Sequence, residues 1–336
     1  MLRSTALPLC LLAALGCVQS KAPGAAEDAA SHDAVGALPP LKLGVMVHLE
    51  TAAAWENPAV YERYIDQLRD AYLPLLVAHG AKFTWQLRGE LTLKIVERGD
   101  TILDDLVAAG QGLGVHADKG FPAPASQAVF VAQLTALRDQ LLAVQPGFRN
   151  VSGICSESDW VSAAADAGFA FASGSVGYCA MSLPLADRPP EYSACESPAA
   201  CHGTLPEAVE ERIHPWRAVD GSNWLTDAPA GRLVMLAASV GLTCAAENEG
   251  GSSETGCMHA ADDLAPYFAD LDAAVAVRDA ARVNLYYSGW SYGGPLNLAV
   301  TEEWLTRLDA YVADGRVEWA TMDDMGAAFE AWEARP

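Results

Sequence analysis

The sequence predicts an α/β protein: a single (β/α) barrel, distorted or seven-stranded, over residues 41 to 333. Three observations point there. Short β-rich runs alternate with helical patterns along most of the chain, which implies a parallel sheet with helices outside, and about eight such units imply closure. The 336 residues are 51% hydrophobic and only 19% charged, too apolar for disorder and enough for one large domain. No G-x-G-x-x-G follows the first strand, which places an open doubly wound sheet second.

Leu41 to Leu49 (LKLGVMVHL) reads as a buried strand. Asn57-Pro58 supplies an N-cap and a first-turn proline for a helix running towards Gly80. Lys82 to Leu87 is the second strand, followed by a helix from Asp100 to Ala109 that stops at Gly110. Gly112 to Ala117 (GLGVHA) is the third strand, and Ser126 to Val144 a helix. Val151 to Cys155 is the fourth strand, and Ser156-x-x-Asp159 has the form of a capping box for a helix ending at Gly168. Phe169 to Val176 is the fifth strand. Residues 177 to 229, rich in Pro, Gly, Cys and Trp, then form an irregular excursion. Regularity returns with the strand Arg232 to Ser239 and a helix from Ala260 to Ala280. The strand Val283 to Tyr287, the helix Thr301 to Ala313, the strand Val317 to Ala320 and a last helix capped by Thr321 complete the chain.

The first residues stand apart. Arg3 and the apolar run Ala6 to Leu15 have the form of a secretion signal, too short to span a bilayer. Its end, Ala14-Leu15-Gly16-Cys17, resembles the lipobox of bacterial lipoproteins, which implies cleavage before Cys17, lipid attached to it, and a cell-envelope location; an ordinary secretory signal is the alternative. Val18 to Pro40 reads as a flexible tether. Six further cysteines suit an oxidising compartment. Cys195 with Cys201 and Cys244 with Cys257 each close a short loop, which leaves Cys155 with Cys179.

With 21 Lys+Arg against 43 Asp+Glu, the net charge of −22 repels phosphate backbones and argues against nucleic acid or anionic lipid as a partner. Chemistry in a (β/α) barrel sits at the carboxyl ends of the strands. His48 and Glu50 close the first strand two residues apart, so both leave one face with their backbones about 7 Å apart. His116 and Asp118 close the third with the same spacing. Two imidazoles and a carboxylate with one open position are what a catalytic zinc needs. Equally, both histidines could be hydrogen-bonded core residues. Trp55, Trp216, Trp224, Trp290 and Tyr292 fall in expected loops, where flat rings can stack on sugars.

The run LPLLVAHGAKFTWQLRGEL, continuing to VAAGQGLGVHADKG, is similar in layout to the polysaccharide deacetylase family, the NodB-homology domain. Phe148 to Gly153 is placed like that family's R-x-P-x-G, and DWVSAAADAGFAF and residues 282 to 333 extend the resemblance over most of the chain. It implies a metal-dependent barrel hydrolase acting on acylated glycans, with zinc as the expected ion. The departures are specific. The family's T-F-D-D-G is replaced by Val47-His48-Leu49-Glu50-Thr51, its H-x-x-x-H retains His116 but has Gly120 at the second position, and its late L-x-H reads Leu285-Tyr286-Tyr287. His116, Arg149 and Gly153 carry over directly. A compensated site would use His48, Glu50 and His116 as ligands and Asp118 as base, with Arg149 orienting a carboxylate or forming a rim ion pair. A metal-free glycan-binding barrel and a glycoside hydrolase using Glu50 and Asp118 are the competing expectations.

Overall fold

The computed structural model describes residues 38–49, 55–237, 264–291 and 298–335. The expected signal, residues 18–37 of the tether, Cys17, Glu50, Tyr292 and the Cys244–Cys257 pair lie outside them.

Parallel pairing begins at β1 (Leu41–Leu49), whose two faces are both covered, as its almost continuous apolar run requires. It lies between β2 (Phe83–Leu87) and β8 (Leu285–Ser291), with β9 (Val317–Trp319) on its first residues. Beyond β2 follow β3 (Gly112–His116), β4 (Asn150–Ser152), β5 (Phe171–Ala172), β7 (Leu233–Met235) and β6 (Trp216–Ala218). All these pairs are parallel except β6 with β7, which is antiparallel. Among the described residues the sheet is an open curl, a distorted rather than a fully closed form of the expected barrel. After β5 the chain leaves on its excursion, and the sheet ends at β6, an antiparallel edge. Tyr287 of β8 spans the seam instead, accepting from the Gly174 N–H at 2.7 Å and donating to the Leu236 carbonyl.

The helices lie outside the curl. α1 (Pro58–Gln67) starts under Asn57, whose Oδ1 accepts from the Ala59 N–H at 3.1 Å, and continues through a π-helical turn, Leu68–Tyr72, into α2 (Leu73–Ala78). α3 (Gly89–Arg98) was not expected: the residue before it, Arg88, offers no side-chain acceptor, so no start signal marks it. α4 (Ile102–Ala108) and α5 (Gln127–Leu142) follow, the latter capped by Ser126 Oγ, which accepts from the Val129 N–H. At α6 (Trp160–Asp166) the cap is Asp159, accepting from the Ser162 N–H at 3.0 Å, rather than the anticipated Ser156. The short α7 (Val209–Arg212), α8 (Leu264–Ala276) and α9 (Leu298–Ala313) lead to α10 (Met322–Glu333), where Thr321 and Asp324 form the reciprocal capping box.

Two cores result. Val45, Val47, Phe83, Trp85 and Val115 point outward into the helices, whereas Met46, Phe171, Val234 and Tyr287 fill the interior of the curl against Met325 and Phe329 of α10. The excursion is a chain of 3₁₀ turns held by two of the expected disulfides, Cys155–Cys179 and Cys195–Cys201. Among the described residues no helix is long and apolar enough to cross a membrane.

Candidate functional site

Because β1 to β4 run the same way, their final residues share one mouth. His48 stands beside Gln86 in the β1–β2 register, and His116 beside Ser152 in the β3–β4 register. The two imidazoles meet across the intervening β2, stacked with centroids 3.9 Å apart and planes 28° from parallel. Both address one atom: Ser152 Oγ lies 3.1 Å from His48 Nε2 and 2.9 Å from His116 Nδ1. His116 is buried and His48 half-buried, so the pair forms the floor of the mouth, with His48 the nearer to solvent.

Asp118 follows on the same rim with φ 46°, the left-handed region that a non-glycine residue seldom occupies. Its carboxylate accepts from Arg88 Nη1 at 2.8 Å, Arg88 being the residue that leaves the tip of β2. The same guanidinium reaches Glu90 through Nε at 3.4 Å. Burial acts to raise the Glu90 carboxyl, but a backbone N–H at the start of α3 and Arg88 outweigh it and hold the group below its ordinary range. A cation thus bridges two acids at the edge of the histidine floor. Among the described residues no group of three or more His, Cys, Asp or Glu side chains is placed to hold a metal ion. The third expected ligand, Glu50, lies outside them, two positions beyond His48.

No protein-family model matches the chain, and no curated protein sequence matches it significantly. Solved structures do. A Mycobacterium smegmatis protein assigned as a polysaccharide deacetylase superposes with a TM-score of 0.52 at 16% identity, over 89% of this chain and 97% of its own. This is a deacetylase-type fold. The 4-alpha-glucanotransferase of Thermococcus litoralis shares it at TM-score 0.50 and 13% identity, over 87% of this chain and 40% of the enzyme. Two different chemistries on one scaffold mean that the scaffold alone does not select an activity.

On this deacetylase-type fold several expected site residues take other places. Arg149 precedes β4 and so sits at the opposite end of the sheet from the mouth, about 10 Å of strand before Ser152. There its guanidinium grips Glu330 of α10 through two hydrogen bonds of 2.7 and 3.1 Å and lies over the Phe171 ring. The expectation that it orients a catalytic carboxylate is corrected to the rim ion pair. Gly120 has no room for the missing second histidine, since a Cβ there would stand 1.8 Å from the Cys155 carbonyl oxygen. Tyr287, which stands where the L-x-H pattern has its histidine, is committed to the seam.

The tryptophans also move. Trp55 and Trp224 are fully buried, Trp216 is 5% exposed and donates Nε1–H to the Trp224 carbonyl, and Trp290 is 6% exposed within β8. Trp55 packs edge-on to Tyr61 and Tyr64, and Trp290 edge-on to Tyr72 and Phe83. Their faces are taken by the protein core, which corrects the reading of Trp55, Trp216 and Trp290 as exposed sugar platforms; large apolar rings follow burial before function. Ser152, Gln86 and Arg88 escaped the sequence reading. Their only trace was a polar residue inside or just beyond an apolar strand.

Proposed function

We propose that the protein is an exported, metal-dependent hydrolase of the carbohydrate-deacetylase kind, which removes acyl groups from a glycan. The observation that carries it is the convergence of His48 and His116 on one buried hydroxyl at the sheet mouth. A ligating imidazole characteristically gives its other ring nitrogen to a fixed partner, and Ser152 serves both rings in this way. The donor set therefore suits a divalent ion such as zinc, held by His48, His116 and Glu50. Such an ion, when bound, polarises an acyl carbonyl and acidifies water.

The chain's own groups supply the rest. Asp118 stands on the rim as the acceptor for the proton that the attacking water loses, and Arg88 orients its carboxylate. The disulfides suit export, because such bonds persist in oxidising compartments. The substrate is proposed to be an acylated sugar polymer; the lipid anchor on Cys17 would hold the protein at the envelope.

The test is release of acetate from acetylated oligosaccharides by the purified protein, with metal content measured in parallel. About one zinc per chain is expected, with turnover lost on chelation and both lost in His116→Ala. An Asp118→Asn variant should keep its metal while losing a factor of about 100 or more in kcat. Full zinc retention by His116→Ala, or turnover indifferent to chelator, would overturn the assignment. Oligosaccharide binding without turnover, unchanged by chelator, would instead favour a glycan-binding barrel.

A further inference from the structure

Beneath the two imidazoles the Ser152 hydroxyl continues into a line of buried polar side chains. Gln86, Asn150 and Ser152 are completely buried inside the curl, and Ser173 nearly so. Buried amides are costly unless every polar atom is paired, so their presence calls for an account. Here all are paired, and the pairing has a direction. Asn150 Nδ2 lies 2.7 Å from the Leu113 carbonyl and 3.0 Å from Asp323 Oδ2, two acceptors, so this end of the amide is the donor. Asn150 Oδ1 therefore faces Gln86, whose Nε2 donates to it at 2.9 Å and to Ser173 Oγ at 2.9 Å. That leaves Gln86 Oε1 as an acceptor, and Ser152 Oγ donates to it. A hydroxyl has one proton. With that proton directed to Gln86, Ser152 Oγ can only accept from His48 Nε2 and His116 Nδ1.

The intervening strand is shaped for this. Gln86 and Asn150 lie on β2 and β4, and between them β3 presents Gly114, which is in register with Gln86. A Cβ at 114 would stand 2.0 Å from Asn150 Oδ1, so the two amides meet only because that residue is glycine.

We infer that the Asn150–Gln86 amide pair is a positioning device that acts through Ser152, making both imidazoles donate to one oxygen and so assigning His48 its Nε2–H and His116 its Nδ1–H tautomer. The remaining nitrogens, His48 Nδ1 and His116 Nε2, are then the ones that carry a lone pair, the form a metal ligand must have. The inference deepens the hydrolase reading and rests on it only for its purpose. The tautomers belong to the metal-free protein.

The test is long-range proton–nitrogen correlation NMR of the imidazole rings in metal-free protein labelled at histidine, under mildly alkaline conditions. His48 is expected as Nε2–H and His116 as Nδ1–H. The His116 result discriminates sharply, since Nδ1–H is the rarer tautomer of a free histidine side chain. In Gln86→Met the Ser152 proton loses its acceptor and turns to one ring, so one of the two histidines should change tautomer. Nε2 protonation of His116 in the unmodified protein, a measurement that needs no variant to fold, would overturn the inference. So would a folded Gln86→Met protein with both tautomers unchanged. Absence of zinc binding or acetate release, with the tautomers as stated, would instead sink the hydrolase reading and leave this one standing.

Discussion

His116 stands at the tip of β3 and Gly120 four residues later, and the two positions differ in what the fold allows. The fold tolerates His116 because Ser152 takes its Nδ1 at 2.9 Å. It does not tolerate a side chain at 120, where the Cys155 carbonyl oxygen would be 1.8 Å from a Cβ. Gly120→His is therefore expected to cost about 1 to 3 kcal/mol, the usual penalty for overpacking, and to leave zinc affinity no higher than before. Urea denaturation with a zinc titration checks both; a stable variant that binds metal more tightly would contradict the geometry. A second residue-scale case is Arg212, 3% exposed and paired with Asp270, which also accepts from Tyr286 OH at 2.9 Å. Asp270→Ala strands a buried guanidinium and should cost about 3 to 5 kcal/mol in the same assay, whereas a loss below about 1 kcal/mol would mean that water reaches the cation. At this scale the sequence revealed the two histidines, because each stands at the end of a strand whose tip faces the mouth. It hid Ser152, Gln86 and Asn150, whose importance arises only when β2, β3 and β4 are set side by side.

The last helix joins the two ends of the account at the scale of elements. Neighbouring acids on α10 respond oppositely to the same fold. Burial pushes the Asp323 carboxyl up to about 6, against hydrogen bonds from the Arg149 N–H and the Asn150 amide. Burial also acts on Asp324, but the Thr321 N–H and Lys82 prevail and hold it low. The signs follow. Asp323 holds its proton more tightly when folded, so its contribution to stability falls as pH rises from about 4 to about 6, by at most about 3 kcal/mol. Asp324 contributes stability above the ordinary carboxylate range that is lost as pH falls below it. Denaturation across pH should show wild type losing ground to Asp323→Asn through that window. For Asp324→Asn the gap should open at neutral pH and close in acid; parallel curves for either pair would contradict the assignment. Elements with chemical punctuation were legible beforehand: Asn57-Pro58, Ser126 and Thr321 each start a helix where expected. α3 was not, since Arg88 caps nothing, and of the expected strand Phe169 to Val176 only Phe171–Ala172 forms β5.

For the molecule as a whole, the sequence conveyed a helix-covered parallel sheet but not its opening. The excursion of residues 177 to 229 returns as an antiparallel edge, a choice settled by long-range packing that local patterns do not encode. That excursion is fastened at its root by Cys155–Cys179, which closes a loop of sequence separation 24 just beyond the Ser152 tip. Loop-closure entropy puts the value of such a link at about 3 to 4 kcal/mol, so a Cys155→Ala/Cys179→Ala protein should lose that much stability in denaturant. An unchanged midpoint would mean that the excursion is held by its packing instead. If the two strand-tip histidines form one half of an ion site, anomalous diffraction at the zinc edge from crystals of the protein grown with zinc will locate the ion between them. The prediction is a single strong peak about 2.0 to 2.1 Å from a nitrogen of His48 and a nitrogen of His116, with a Glu50 oxygen at similar range. A map with no peak there, the rings still stacked on Ser152, would contradict it.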